Sequence, residues 1–139
     1  MTGTLTFTMI KPDAVAAGNA GAILQQIEEA GFEIVALKMI RLSIEQAGQF
    51  YDIHSDKPFY DFLVNFMSSG KIVAAVLKKN DAVTGFRTLI GNTNPAKAEE
   101  GTIRKLYAQS IEHNAIHGSD SDENALIEAS FFFSNFERY

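Results

Sequence analysis

The chain has 139 residues, a formal net charge of −5 and no cysteine. Its length predicts one domain, and hydrophobic and charged fractions of 46% and 21% exclude a disordered chain. The absence of cysteine excludes disulfides, zinc–thiolate sites and a thiol nucleophile, and the negative charge argues against a general binder of nucleic-acid backbones.

The N-terminus carries neither a basic segment nor a long apolar one, so no signal peptide is visible. The longest apolar stretch in the body of the chain, Ile72 to Leu77, is too short to span a bilayer. We therefore expect a cytoplasmic protein without a membrane partner.

The first part of the chain alternates strand and helix patterns. Leu5 to Ile10 alternates threonine with apolar residues, which predicts a strand, and Pro12 ends it because proline cannot join a ladder. Ala20 to Ala30 carries apolar residues at helical spacing. Phe32 to Leu42 alternates again and predicts a long strand. Ser43 to Gln46 fits a capping box that opens a helix towards Ile53.

The middle of the chain predicts a helix, a buried strand and a shorter helix. Pro58 opens a helix that ends at Gly70, because proline is favoured in a first turn and glycine follows a helix end. Ile72 to Leu77 is an uninterrupted apolar run, which predicts a buried strand. Ala82 to Ile90 is the shorter helix.

The last third begins with an irregular segment from Gly91 to Gly101, and loops of that length in a small domain are functional or disordered. A short apolar strand follows around Ala115 and Ile116. Ser121 or Asp122 then caps a final helix through Phe133.

With the additional helices set aside, this order reads β-α-β-β-α-β. It predicts an α+β fold of the ferredoxin-like type, with a four-stranded antiparallel sheet and helices packed on one face. No linker, repeat or low-complexity tract interrupts the chain, so residues 1–139 are predicted to form a single domain.

The segment from Asn114 to Ser121 is the first candidate for chemistry. His117 follows a short strand and precedes Gly118, which places an imidazole at the end of an element with room for a substrate. A neutral imidazole at pH 7 is a competent nucleophile. The alternative interpretation is a surface histidine before a helix cap.

Three cationic residues, Lys11, Arg87 and Arg104, are the second candidate, because converging lysine and arginine side chains bind a polyphosphate. Lys11 is the strongest of them, since a residue between a strand and a proline has a fixed direction. The alternative is that each is a solvated surface charge.

Other motifs are absent. The segment that starts at Asp120 begins like a calcium loop, but Ala125 and Phe131 occupy the sixth and twelfth positions, where glycine and glutamate are needed. The chain has no glycine-rich phosphate loop of either common type, and His113 and His117 do not form a zincin motif. No dedicated metal site is predicted.

The segment Asn114-Ala115-Ile116-His117-Gly118-Ser119-Asp120-Ser121 resembles the signature around the phosphorylated histidine of nucleoside diphosphate kinases. Five further matches run in order along almost the whole chain. They are Ile10-Lys11-Pro12-Asp13, Lys57-Pro58-Phe59, Met67-Ser68-Ser69-Gly70, Gly91-Asn92-Thr93-Asn94-Pro95 and Gly101-Thr102-Ile103-Arg104. The resemblance implies a ferredoxin-like fold with added helices, in agreement with the element order.

This resemblance implies transfer of the γ-phosphate of a nucleoside triphosphate to a nucleoside diphosphate, in two half-reactions through a phosphohistidine. It implies that His117 is the nucleophile and that Glu128 holds the other imidazole nitrogen. The residues implied to line the phosphates and ribose are Lys11, Tyr51, Arg87, Thr93, Arg104 and Asn114. Mg²⁺ is expected to be held mainly by the nucleotide phosphates.

The same resemblance implies that Phe59 stacks on the base, with Ile111 near it. Every base offers a π-surface, so stacking on one phenylalanine predicts weak selectivity among nucleotides. The alternative is that Phe59 belongs to the core, because Phe62 and Phe66 share its helical face.

Two departures from the family pattern are visible. Many members carry a histidine just before the tyrosine of the second-helix region, whereas this chain has Phe50. The chain also ends at Tyr139, without the C-terminal extension of longer, hexameric members.

The strand from Phe32 to Leu42 carries apolar side chains on both faces, which predicts a homodimer with two-fold contacts. The resemblance implies that such dimers form tetramers or hexamers, and the irregular segment from Gly91 to Gly101 does not decide between these assemblies.

Two other classes of function remain open at this point. Ferredoxin-like sheets also serve as small-molecule binding modules and as RNA-recognition platforms. The strands lack the basic and aromatic strings of RNA-binding sheets, so no specific nucleic acid is predicted. A scaffold role is the third reading.

Overall fold

The computed structural model describes residues 3–139, and its centre is a four-stranded antiparallel sheet. The strands are β1 (Leu5–Ile10), β2 (Glu33–Arg41), β3 (Lys71–Lys78) and β4 (Ile116–Gly118). Their spatial order is β2-β3-β1-β4, and the predicted ferredoxin-like fold with a four-stranded antiparallel sheet is confirmed. β1 and β3 are the inner strands, whereas β2 and β4 form the edges.

Seven α-helices connect the strands within the described residues. They are α1 (Pro12–Ala16), α2 (Ala20–Glu29), α3 (Ile44–Phe50), α4 (Tyr60–Met67), α5 (Ala82–Ile90), α6 (Ile103–Tyr107) and α7 (Asp122–Phe132). Short 3-10 turns cover Asp52–His54, Pro95–Lys97 and Asn135–Glu137. The sequence did not predict α1 or α6, which have only five residues each and therefore show little helical periodicity.

The boundaries of the longer elements agree with the sequence to within a few residues. The predicted capping box is present, since Ser43 accepts from the Gln46 N–H and Gln46 accepts from the Ser43 N–H. Ser121 is the residue that caps α7, because its hydroxyl accepts from the Asn124 N–H. Pro58 lies in a turn, and α4 begins two residues later at Tyr60.

The prediction of helices on one face of the sheet is wrong. One face packs Phe7 and Met9 against α3, α4 and α7, and the other packs Ile10 and Leu77 against α1, α2, α5 and α6. The physical reason is visible in β3, where every residue from Ile72 to Leu77 is buried. A strand that is apolar on both sides needs cover on both sides.

β2 is the edge strand that carries exposed apolar side chains. A bulge between Ile34 and Ala36 shifts its register against β3. Leu37 and Met39 are 51% and 54% exposed. The C-terminal segment runs beside this strand, where Lys38 forms an ion pair of 2.7 Å with Glu137 and donates to the Phe132 carbonyl.

Candidate active site

A cavity of about 260 Å³ lies where β4, the end of α3 and α7 meet. It is lined by Lys11, Phe50, Tyr51, Ile53, His54, Arg87, Thr93, Arg104, Asn114, His117, Gly118, Asp120, Asn124 and Glu128. Eight of the ten predicted site residues are in this set; the other two, Phe59 and Ile111, are not. The tertiary structure thus brings together side chains that are up to 117 positions apart in the chain.

His117 is the central residue of β4, opposite Met9 of β1. The Thr8 hydroxyl donates to the His117 carbonyl at 2.7 Å, which fixes the backbone at this point. The imidazole Nε2 lies 2.9 Å from Oε1 of Glu128, and the two side chains are only 20% and 16% exposed. The predicted pairing of His117 with Glu128 is therefore present in the geometry.

The contact with Glu128 determines which imidazole nitrogen can react. An ionised carboxylate only accepts hydrogen bonds, so Nε2 must carry the hydrogen. In the neutral ring Nδ1 then holds a lone pair, and Nδ1 makes no hydrogen bond to any residue from 3 to 139. The arrangement presents one nucleophilic nitrogen, as in catalytic groups with a nucleophile and an orienting carboxylate.

Lys11 is buried, although it carries a charge. Its Nζ donates to Oδ1 of Asn114 at 2.8 Å, and its own N–H donates to the Ala115 carbonyl at 2.8 Å. Burial, together with repulsion from Arg104, lowers the pKa of Lys11 to about 8. The structure keeps this ammonium poorly solvated, so an anion placed in the cavity would stabilise it.

Arg104 is also buried and lines the cationic side of the cavity. Its guanidinium donates to the carbonyls of Gly91 and Ile116 at 3.0 and 2.8 Å, whereas its Nε has no partner among residues 3–139. Burial and then repulsion from Arg87 lower its pKa to about 10. A neighbouring cavity of about 430 Å³ shares Arg87, Thr93 and Arg104, so the cationic surface extends towards the loop after α5.

The ring of Tyr51 lies beside the imidazole in an edge-on arrangement, with ring centroids 6.4 Å apart. Its hydroxyl is buried and has no hydrogen-bond partner in the described part of the chain. Burial, and to a smaller degree the Glu128 charge, raise the pKa of Tyr51 well above its usual range. The phenol therefore stays protonated and is available as a hydrogen-bond donor beside His117.

The backbone just before His117 is held in a strained conformation. Ala115 has a φ of 73°, a left-handed value that is unusual for a residue with a Cβ. Its carbonyl accepts from the Lys11 N–H, and its N–H donates to Oδ2 of Asp13 at 3.1 Å. Lys11 and Asp13 therefore hold the turn that leads into the histidine.

Several residues of this site were not predicted. Ser119 donates to Oε1 of Glu128 at 2.6 Å, and Asp13 holds Ala115. Both residues lie inside strings that resemble the family motifs, and this was the available signal. Ile53, His54, Asp120 and Asn124 line the cavity without having been predicted. Asp120 lies inside the string from Asn114 to Ser121 and carried the same signal as Ser119. The other three lie in a turn and a helix start, where no sequence period points to a site.

The two predicted base contacts lie outside the cavity lining. Phe59 and Ile111 are 48% and 55% exposed, so the alternative that Phe59 belongs to the core is wrong. The Phe59 ring lies 5.6 Å from that of His54, which does line the cavity. Phe59 is therefore close to the cavity edge and free to accept a flat ligand.

Gly118 has a structural reason to be glycine in addition to its position in the cavity wall. A Cβ at this position would lie 3.0 Å from side-chain atoms of Ile90 and Phe86. The close packing of α5 against β4 therefore requires a glycine here, and the expected approach of a substrate at Gly118 stays a prediction.

No group of three or more histidine, aspartate or glutamate side chains within residues 3–139 is placed to hold a metal ion. In the same part of the chain, no helix is long and apolar enough to cross a membrane.

Comparisons with known proteins agree on one family. The family model described as nucleoside diphosphate kinase matches residues 4–138. Curated proteins of that name from Flavobacterium psychrophilum and Chlorobium limicola are 59% and 57% identical to the chain over 134 and 129 residues. The alignments cover 96% and 93% of this chain and 96% and 92% of those proteins.

Solved structures give the same result. The nucleoside diphosphate kinase of Aquifex aeolicus superposes with a TM-score of 0.96 at 43% identity, over 98% of this chain and 99% of that one. The enzyme from Halobacterium salinarum in complex with CDP superposes with a TM-score of 0.92 at 39% identity, over 97% of this chain and 90% of that one.

Proposed function

The chain belongs to the nucleoside diphosphate kinase family, and we propose that His117 is the residue that carries the phosphoryl group in its reaction. The protein is a phosphotransferase that moves the γ-phosphate of a nucleoside triphosphate to a nucleoside diphosphate through a phosphohistidine. The observation that carries the proposal is the 2.9 Å contact between Nε2 of His117 and Glu128, which leaves Nδ1 as the nucleophile.

In the first half-reaction, Nδ1 of His117 attacks the γ-phosphorus of the bound triphosphate. The new N–P bond forms as the bond to the β,γ-bridging oxygen breaks, and the nucleoside diphosphate leaves with that electron pair. The phosphorylated ring becomes cationic, and the Glu128 carboxylate at Nε2 stabilises it. A nucleoside diphosphate then attacks the phosphohistidine in the reverse sense and regenerates the neutral imidazole.

Charge neutralisation and positioning are the main tasks in phosphoryl transfer. Lys11 and Arg104 are fixed by hydrogen bonds to the protein and face the same cavity as His117. The side chains proposed to bind phosphates and ribose are Lys11, Tyr51, Arg87, Thr93, Arg104 and Asn114, all of which line the cavity. Tyr51 contributes its unpartnered hydroxyl as a donor.

Mg²⁺ fits this site as an ion that arrives with the nucleotide. The donor set is mainly cationic, and Asp120 is the carboxylate in the lining that is not engaged by His117. A metal with few protein ligands keeps several waters and binds phosphate oxygens. When bound, it would neutralise phosphate charge, and Asp120 is the lining carboxylate that would help to hold it.

The base is proposed to stack on Phe59, with Ile111 beside it. Phe59 follows Pro58 at the entry to α4, and about half of its surface is free. Stacking tolerates every base, so we expect little selectivity among nucleotides. The Halobacterium salinarum relative was solved in complex with CDP, which is consistent with a nucleotide site in this fold.

The chain is proposed to assemble into homodimers through the exposed face of β2, and these dimers into tetramers or hexamers. Helices cover both faces of the sheet, so the apolar residues on both faces of this strand do not by themselves require a partner. The support comes from Leu37 and Met39, two half-exposed apolar side chains on one face of an edge strand.

A cytoplasmic location is also proposed, and cell fractionation tests it.

A purely non-catalytic binding module does not account for the site. A module that only binds a nucleotide needs the cationic side chains but not a carboxylate that holds one nitrogen of a cavity-facing imidazole. A scaffold role beside catalysis stays a separate hypothesis.

The experiment is intact-mass measurement after incubation with ATP and Mg²⁺. The wild-type chain is expected to gain one acid-labile phosphoryl group, and the His117→Gln variant none. His113→Gln and His54→Gln serve as controls and are expected to be phosphorylated. His113 packs on Phe66 with ring centroids 4.9 Å apart, away from the cavity lining. Phosphorylation of the His117 variant would reject the proposal.

A further inference from the structure

Phe50 is the last residue of α3 and lies directly against the proposed nucleophile. Its ring centroid is 5.7 Å from that of His117, with an angle of 81° between the planes. It also lines the cavity that contains His117. The ring is held from behind by Phe7, Phe131 and Phe132, whose centroids lie 5.4 to 5.9 Å away.

The cavity consequently has two chemically different sides. Lys11, Arg104 and Asn114 present charges and amides, whereas Phe50 and Ile53 present hydrocarbon. The polar side suits phosphate oxygens. The apolar side offers neither a donor nor an acceptor to a water molecule next to His117.

A phosphohistidine faces a competing acceptor, which is water. In hydrolysis a water oxygen attacks phosphorus, the N–P bond breaks, its electron pair returns to Nδ1, and the water proton passes to solvent as inorganic phosphate leaves. The attack is favoured when a neighbouring group holds and deprotonates the water. Near His117, the Glu128 carboxylate already accepts from Ser119 and His117, and Asp120 accepts from Asn124. The Tyr51 hydroxyl stays protonated and does not take the proton of a water, and the His54 ring packs beside that of Phe59.

We propose that Phe50 is a specificity-determining residue that favours transfer to a nucleotide over transfer to water. Its ring lies against that of His117 and lines the same cavity, so a polar side chain at this position could hold a water beside the phosphohistidine. This inference rests on the proposed role of His117. Binding of the acceptor nucleotide does not depend on the apolar side of the cavity, because its phosphates bind to the cationic side.

The test measures how long the phosphoenzyme survives without an acceptor. Phosphoenzyme is prepared with ATP and Mg²⁺, freed of nucleotide, and followed by intact mass and by release of inorganic phosphate. The variants are Phe50→His and Phe50→Gln, which introduce groups able to hold a water, and Phe50→Leu, which keeps the surface apolar. Phe131→His is the matched control, because Phe131 packs on Phe50 but does not line the cavity.

We expect hydrolysis to accelerate about fivefold in Phe50→His and Phe50→Gln, the effect that one additional hydrogen bond to the attacking water supplies. Phe50→Leu and Phe131→His are expected to stay close to wild type, and the ratio of hydrolysis to transfer onto GDP should rise only in the polar Phe50 variants. Cooperative melting identifies the polar Phe50 variants that are folded. If the phosphoenzyme of such a variant survives as long as that of wild type, the inference is overturned. Failure of the wild-type chain to form phosphoenzyme would instead reject the role of His117.

Discussion

The Ser119 hydroxyl donates to Oε1 of Glu128 at 2.6 Å, and this is the same oxygen that faces Nε2 of His117. Ser119 is fully buried and also accepts from the Phe7 N–H, so it is anchored to β1. The carboxylate is therefore fixed by two donors that share Oε1. A fixed carboxylate keeps the imidazole in one orientation and one tautomer.

Removal of the Glu128 charge should slow both half-reactions. We expect Glu128→Gln to lower kcat about 10²-fold, because the tautomer is less well fixed and the cationic phosphohistidine loses its counter-charge. Stopped-flow phosphorylation by ATP is the measurement. Glu123→Gln, an exposed change in the first turn of α7, is the control and should leave the rate unchanged. Normal phosphorylation of Glu128→Gln would remove Glu128 from the mechanism.

Truncation of Phe59 should separate binding from stability. Phe59→Ala is expected to raise KM for diphosphate acceptors about tenfold, since stacking on an aromatic ring contributes roughly 1–3 kcal/mol per base. Its melting temperature should stay near wild type because about half of the side chain is exposed. Steady-state kinetics with several nucleotides and thermal melting provide the two readings. A stability loss with unchanged KM would argue for a packing role instead.

Nucleotide binding should change the protonation of Lys11. Its pKa is lowered to about 8 in the free protein, and a nearby polyphosphate favours the charged form and raises that pKa again. At pH 8 binding should therefore take up about half a proton, and at pH 6 almost none from this group. Calorimetric titration with ADP in buffers of different ionisation enthalpy measures the uptake.

The control for this prediction is Lys11→Met, which should bind ADP without proton uptake at that position. Equal uptake in wild type and Lys11→Met would contradict the assignment of the uptake to Lys11.

The same lowered pKa has a consequence for folding. Between pH 8 and pH 10.5, the ordinary pKa of a lysine, the unfolded chain holds more protons at Lys11 than the folded one. The contribution of this group to the free energy of unfolding therefore rises with pH across that interval.

Charges on the exposed face of β2 should prevent dimerisation. The double variant Leu37→Glu, Met39→Glu places two like charges where apolar side chains would meet their copies across a two-fold axis. We expect light scattering at micromolar concentration to give a monomer mass for this variant and a multiple of it for wild type. Glu33→Gln on the same strand is the control. A fully active wild-type monomer would contradict the assembly proposal.

The sequence by itself determined the order of the main strands and helices and the strings that resemble the family. Alternation along Leu5 to Ile10 and the unbroken apolar run from Ile72 to Leu77 are local signals, so strands β1 and β3 were predictable. The segment around His117 was predictable for a different reason, because its residue types in that order carry the chemistry.

Only the tertiary structure decided how those residues meet. The apolar run of β3 calls for cover on both faces of the sheet, but a strand pattern does not report which helix supplies it, and helices were predicted on one face only. The contact of Asp13 with Ala115 joins residues 102 positions apart and depends on the register of β4 against β1. The contact of Ser119 with Glu128 depends on the packing of α7 against β1, to which Ser119 is anchored. Periodicity is a property of neighbours in the chain, whereas hydrogen bonds between distant side chains depend on the packing of whole elements. The protonation of Lys11 was undetermined for the same reason, since its burial exists only in the folded chain.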